Sequence, residues 1–124
     1  MNLAHNPGPC ISFVAAADTA LGLRVTINSS GQAAIAGIAA RGIGHADSGI
    51  DSGVSGPIRL TNTGGELVGI ASEAIAVGDT VLTAASGKCS KTTGGGALEI
   101  GICTFAAGTN GDQFKYIPCR PVTA

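Results

Sequence analysis

A length of 124 residues, a net charge of −1 and only 12% charged side chains fit one domain with a modest core. Aromatics make up 3% of the chain, so its 44% hydrophobic fraction is mostly Ala, Val, Ile and Leu, and a partner surface is one source of further burial. The basic residues are scattered and no apolar stretch nears the roughly 18 residues of a bilayer span, which excludes clustered phosphate contacts with nucleic acid and a membrane helix.

The N-terminal segment holds Pro7, Gly8 and Pro9 and then the apolar run Cys10-Ile11-Ser12-Phe13-Val14. It predicts an extended N-terminal arm over 1–14 that docks elsewhere, ahead of a β-structured domain over 15–124. No Lys or Arg precedes Arg24, so the basic region of a secretion signal is missing, and synthesis in the cytoplasm is expected. Residues 15–21 can form one helical turn. In Leu23-Arg24-Val25-Thr26-Ile27 the apolar side chains alternate with polar ones, the pattern of a half-buried strand with one polar face.

Turn residues Ser29-Ser30-Gly31 follow, and then Gly37-Ile38-Ala39. Residues 42–56 read GIGHADSGIDSGVSG, which predicts a long mobile loop that contacts partners and carries His45 beside Asp47. Ile58 and Leu60 around Arg59 predict a strand, ended by Thr63-Gly64-Gly65. Residues 71–76 can form a second helical turn before a strand at Thr80-Val81-Leu82-Thr83. Strands are also expected at Leu98–Phe105 and at Gln113–Ile117, where Pro118 limits the last of them. Many short strands with turn signals between them define an all-β fold, a small single-domain β-barrel or β-sandwich of antiparallel strands.

The triplet Gly37-Ile38-Ala39 has counterparts at Gly69-Ile70-Ala71 and Gly101-Ile102-Cys103, with equal spacing between successive members. No P-loop or Gly-x-Gly-x-x-Gly pattern accompanies them, so they read as strand ends rather than a phosphate loop. Each of the last two leads through small residues to a Gly-Asp turn (Gly78-Asp79 and Gly111-Asp112) and another strand. A looser echo links residues 25–39 with Val81–Lys91 and the strand after it.

Catalytic chemistry finds little support. The cysteines at 10, 89, 103 and 119 show no Cys-x-x-Cys pair and stand far in sequence from His5 and His45, so no metal site is expected and the thiols read as mostly buried and unpaired. Cys119 with His45 lacks any motif for an activated nucleophile. Asp79 and Asp112 are ordinary turn carboxylates. Lys88 lacks the flanking Met residues of a carrier lysine, and Tyr116 is the one tyrosine available to a sugar-binding platform. No catalytic residue, cofactor or small-molecule substrate is expected.

Ala15–Ala17, Gly31, Gly37–Ala39, Gly78–Val81, Gly87-Lys88, Gly101-Ile102 and Gly111-Asp112 together resemble the turn and strand-end pattern of small capsid decoration, or cement, proteins of tailed phages. The resemblance spans residues 12 to 119; the Gly/Ser-rich stretch 42–56 and the Phe-Lys-Tyr-Ile run at 114–117 depart from it. It implies a compact β protein on the outside of an icosahedral head, with the major capsid protein as partner and a homotrimer as its own assembly. In that setting the arm residues Leu3, Ile11 and Phe13 are expected to contact capsid subunits, in the manner of strand addition. The competing expectation is a monomeric β-barrel module for a small ligand or carbohydrate.

Overall fold

The computed structural model describes residues 10–63 and 65–119. Its strands are β1 (Cys10–Val14), β2 (Arg24–Ile27), β3 (Ala33–Ile35), β4 (Gly44–Ala46), β5 (Ser55–Leu60), β6 (Leu67–Ile70), β7 (Thr80–Thr83), β8 (Cys89–Ser90), β9 (Glu99–Phe105) and β10 (Gln113–Pro118). They form two five-stranded sheets, ordered β1-β5-β4-β2-β3 and β6-β10-β9-β7-β8, and every strand pairing is antiparallel. The expected all-β fold of short antiparallel strands is therefore present. Its form is two small curled sheets side by side.

The two sheets are one plan used twice. Strands β1 to β5 occupy in the first the places that β6 to β10 occupy in the second. Ala15, just after β1, bridges Ala33 of β3 in parallel, and Ala71 bridges Cys89 in the same way, with the same offset along the chain at both positions. These bridges join the two outer strands of each sheet and close it on itself; each closed sheet is a lobe. The connecting backbone repeats as well: Gly22 donates to the Ala46 carbonyl and Gly78 to the Cys103 carbonyl, both at 2.9 Å. Gly22 and Gly78 have φ of 92° and 90°, and Gly31 and Gly87 have 76° and 74°, values that favour glycine.

Each lobe has its own core. The first gathers Ala15, Val25, Ala33, Ala46, Ile50 and Ile58, with Phe13 packed against them. The second gathers Leu67, Ala71, Ile75, Val81, Cys89, Ile100, Cys103, Ala107, Phe114 and Tyr116. One exchange shows how equivalent positions share volume. In the first lobe Phe13 of β1 faces Gly56 of β5; in the second Gly69 of β6 faces Phe114 of β10. The aromatic ring has moved to the opposite strand, and a Cβ on Gly69 would lie 2.8 Å from the Phe114 ring. Total volume is kept, as a close-packed core requires.

Several sequence expectations change here. The stretch 42–56 is not a mobile loop: it holds β4, paired with β2 on one side and β5 on the other, and the start of β5. Gly44 is there for close approach, because a Cβ on it would collide with the Arg59 carbonyl. The helical turns expected at 15–21 and 71–76 are bent links whose Thr19 and Ile75 pair with Ile50 and Ala107. Among the described residues the one helical element is a 3-10 turn at Ala85–Gly87. In β9 the core side chains are Ile100 and Cys103, since register shifts against β7 and β10 break the expected alternation with Ile102.

Candidate functional site

Arg24 lies on the face of β2 that the alternation assigns to solvent, yet it is 1% exposed. That face is covered by the second lobe. The guanidinium donates through Nε to the Lys88 carbonyl at 3.1 Å and through Nη2 to the Ala84 carbonyl at 2.7 Å, both in the second lobe. It also donates to the carbonyls of Gly37, Ala40 and Arg41 in the segment that follows β3. Burial lowers its pKa from the ordinary arginine value. A planar fork of donors suits such a ring of carbonyls, where a point charge would satisfy fewer of them.

His45, in the middle strand β4, is the second pin across the seam. Nδ1 lies 2.7 Å from the Gly22 carbonyl and Nε2 lies 2.6 Å from the Tyr116 hydroxyl of the second lobe. A carbonyl only accepts, so Nδ1 carries the proton and Nε2 accepts from the Tyr116 O–H. Burial pushes the imidazole pKa down to about 4; the Gly22 hydrogen bond opposes this and the Arg24 charge adds to it. Burial likewise raises the pKa of Tyr116. Further bonds complete the seam: Gly87 N–H to the Ala36 carbonyl, Thr83 hydroxyl to the Ile38 carbonyl, and Arg41 Nε to the Glu99 carbonyl.

The sequence-derived catalytic candidates are not brought together. Both ring nitrogens of His45 are engaged, and Cys119 is exposed at the end of β10. No cysteine among the described residues is in a disulfide, and burial pushes the Cys89 thiol up to about 12, well away from a reactive thiolate. Asp79 accepts from the Ala76 N–H, and Asp112 from the N–H groups of Gly108 and Thr109, which is turn chemistry as expected. Lys88 donates to Asn110. Tyr116 is buried, stacked on Phe114, and offers no platform for a sugar. Among the described residues no cluster of metal-ligating side chains forms, and no helix is long and apolar enough to cross a membrane.

Of the arm residues, Leu3 lies outside the described residues. Ile11 and Phe13 belong to β1, an outer strand of the first sheet, where Ile11 is partly exposed and Phe13 packs on the first core. Sequence reasoning missed Arg24 and His45 as a seam. The one available signal is that Arg24 is the single charged residue of its strand.

Several large apolar side chains remain at the surface. Ile11, Val14, Ile27 and Val54 are exposed on the first lobe, and Val77, Phe105 and Ile117 on the second. A cleft of about 440 Å³ at the seam is lined by Arg41, Thr61 and Asn62 on one side and by Glu99, Ile100 and Pro118 on the other. Buried polar groups thus join the lobes, and large apolar side chains are left outside. The chain belongs to the phage cement protein family, whose model matches residues 5–117. It is a capsid-associated structural protein of a phage. Its structure is similar to that of the head fiber gp8.5 N base in bacteriophage phi29, with a TM-score of 0.73 over 93% of this chain and 97% of that one. Their sequences are 16% identical, so this is a likeness of fold. No curated protein matches the chain.

Proposed function

We propose that this chain binds the outer surface of an icosahedral phage head and stabilises the contacts between neighbouring major capsid subunits. The family match over nearly the whole described chain carries this reading. The mechanism is binding energy, not catalysis: many copies that bind the assembled lattice and not its separated subunits shift the equilibrium toward the lattice by mass action. Two kinds of surface are needed, one for the lattice and one for other copies in a trimer.

The lattice contact falls to the segment before β1 together with the exposed start of that strand, at Leu3 and Ile11. Phe13, packed on the first core, anchors the base of this segment in the fold. Among the described residues β1 meets β3 only at the Ala15–Ala33 bridge just past its end, and strand addition by an extended capsid segment falls to the edge before that bridge.

Mixing the purified protein with empty heads and heating them is the direct test. The expected result is saturable binding and a higher temperature of head disassembly; heads that neither bind it nor gain stability would sink the reading. Two deletions sharpen the prediction. Removing residues 1–9 should weaken head binding and leave the unfolding temperature of the free protein nearly unchanged. Removing 1–14 should also unfold the first lobe, since it takes away β1 and the Phe13 ring.

A further inference from the structure

The two lobes meet head to tail. The outer face of the first sheet carries Leu21, Arg24, His45 and Arg59, and it is covered by β6, by Tyr116 and by the Ala84–Lys88 turn of the second lobe. The equivalent face of the second sheet carries Val77, Thr80, Ile102 and Ile117, with Phe105 in the next row opposite Lys115. Nothing in the described chain covers it: Val77 is 66% exposed and Phe105 61%. The paired glycines report the same asymmetry. A Cβ on Gly22 would lie 3.1 Å from Ile70 across the seam, whereas one on Gly78 would meet nothing within 4 Å.

The complementary surface is also used once and left over once. In the second lobe Gly69, Ile70, Thr83 and Gly87 lie at the seam; their counterparts in the first are Phe13, Val14, Ile27 and Gly31. Thr83 is 0% exposed and Ile27 is 37% exposed. A Cβ on Gly87 would lie 3.0 Å from the Arg24 carbonyl, whereas one on Gly31 would meet nothing within 4 Å.

We infer that these two leftover faces pair between copies of this chain, the Val77–Phe105–Ile117 face of one copy receiving the Val14–Ile27–Gly31 face of the next, in a repeat of the seam inside each chain. The occupant follows from the chain itself, since the same backbone surface already seats against the same kind of sheet face within it. The side chains agree. Where the internal seam places Arg24 and His45 the outer face has Thr80 and Ile102, so the middle of this contact buries no charge, and the one cation beside it, Lys115, lies over the Phe105 ring at 5.9 Å. A contact between two different faces is heterologous, and it closes into a ring when its rotation allows. In a trimer, first and second lobes then alternate around one axis. The inference takes up the self-association in the cement reading and assigns its surfaces, leaving the segment before β1 to the capsid.

Light scattering on the purified chain and on two variants, Phe105→Asp and Ile27→Asp, tests it, with thermal unfolding as the check that each variant folds. The wild type is expected to exceed the monomer mass and each variant to be monomeric. Mixed in equal amounts, the two variants should form a dimer and stop there, because each supplies the one intact face the other lacks. If Ile27→Asp assembles like the wild type, or the mixture stays monomeric, the pairing is wrong. A wild-type chain that binds empty heads yet stays monomeric at its highest soluble concentration also overturns this inference, while leaving the cement reading in place. If either variant fails to fold, Ile117→Asp and Val14→Asp replace it on the same faces.

Discussion

Replacement of Arg24 by methionine is expected to lower stability by about 3–5 kcal/mol, because several carbonyls lose hydrogen bonds to a charged donor at once, each worth about 1.5–3 kcal/mol before relaxation. Methionine fills much of the same space, so the loss is one of hydrogen bonding more than of packing. The carbonyls of Ala84 and Lys88 in the second lobe and of Gly37 and Ala40 in the first lose the guanidinium together, although Lys88 keeps the Ala84 N–H and Gly37 the Ala40 N–H. The Ala84 bond is buried and the others are part-buried, so the Ala84 carbonyl bears the full cost of about 1–3 kcal/mol for an unsatisfied group and the others bear less. Against a typical total stability of about 5–15 kcal/mol, the variant should melt far below the wild type. Arg24→Lys should fall between, because a point ammonium cannot span both sets of carbonyls. The equivalent residue of the second lobe, Thr80, is an internal control: Thr80→Ala should cost less than about 0.5 kcal/mol by the same denaturant titration, as expected of a site with no such network. A methionine variant within about 1 kcal/mol of wild type would show that Arg24 is not what joins the lobes.

This dependence on one arginine is the part hardest to read from sequence. Alternation in β2 correctly announces a strand with two unlike faces, but it does not say what covers the second face. A charged residue there reads as solvated, and only the second lobe makes it buried. The strands β2, β5, β7, β9 and β10 are legible, since their apolar positions and flanking turns are set by local chemistry.

The duplication is visible only as an echo, and at a misleading spacing. The three Gly-Ile triplets lie in different settings: Ile70 ends β6, Gly101 and Ile102 sit within β9, and Gly37–Ala39 form part of the seam after β3. Their equal spacing has no structural meaning. The true repeat is longer and carries Ala15 onto Ala71 and Ala33 onto Cys89. Side chains hide it because the lobes have different neighbours. Phe13 and Gly56 exchange sizes with Gly69 and Phe114, and Arg24 and His45 give way to Thr80 and Ile102. What survives is what the backbone needs: Gly22 with Gly78, Gly31 with Gly87, and Gly44 with Gly101.

The second pin of the seam makes stability depend on pH. His45 has a pKa of about 4 when folded against 6.5 when free, so between those values the unfolded chain binds a proton that the folded chain refuses. Above pH 6.5 the residue is neutral in both states and contributes no slope. As pH falls from 6.5 to 4, the folded state loses about 1.4 kcal/mol per unit, or about 3 kcal/mol in all, and below pH 4 this loss levels off. Protonation is costly: the charge is buried, the Tyr116 O–H loses its acceptor when Nε2 turns from acceptor to donor, and Arg24 adds like charge nearby. Denaturant unfolding of the wild type and of His45→Gln, at half-unit steps from pH 7.5 to 4, isolates this one group. Asp47, Arg59 and Glu66, which line the small cavity beside His45, are present in both proteins, so they cancel in the difference. The glutamine variant is less stable at pH 7, and the gap should close by about 3 kcal/mol by pH 4. Parallel stability curves across that range would mean that His45 takes up its proton inside the folded seam, and that the lobes are not held together by a neutral imidazole.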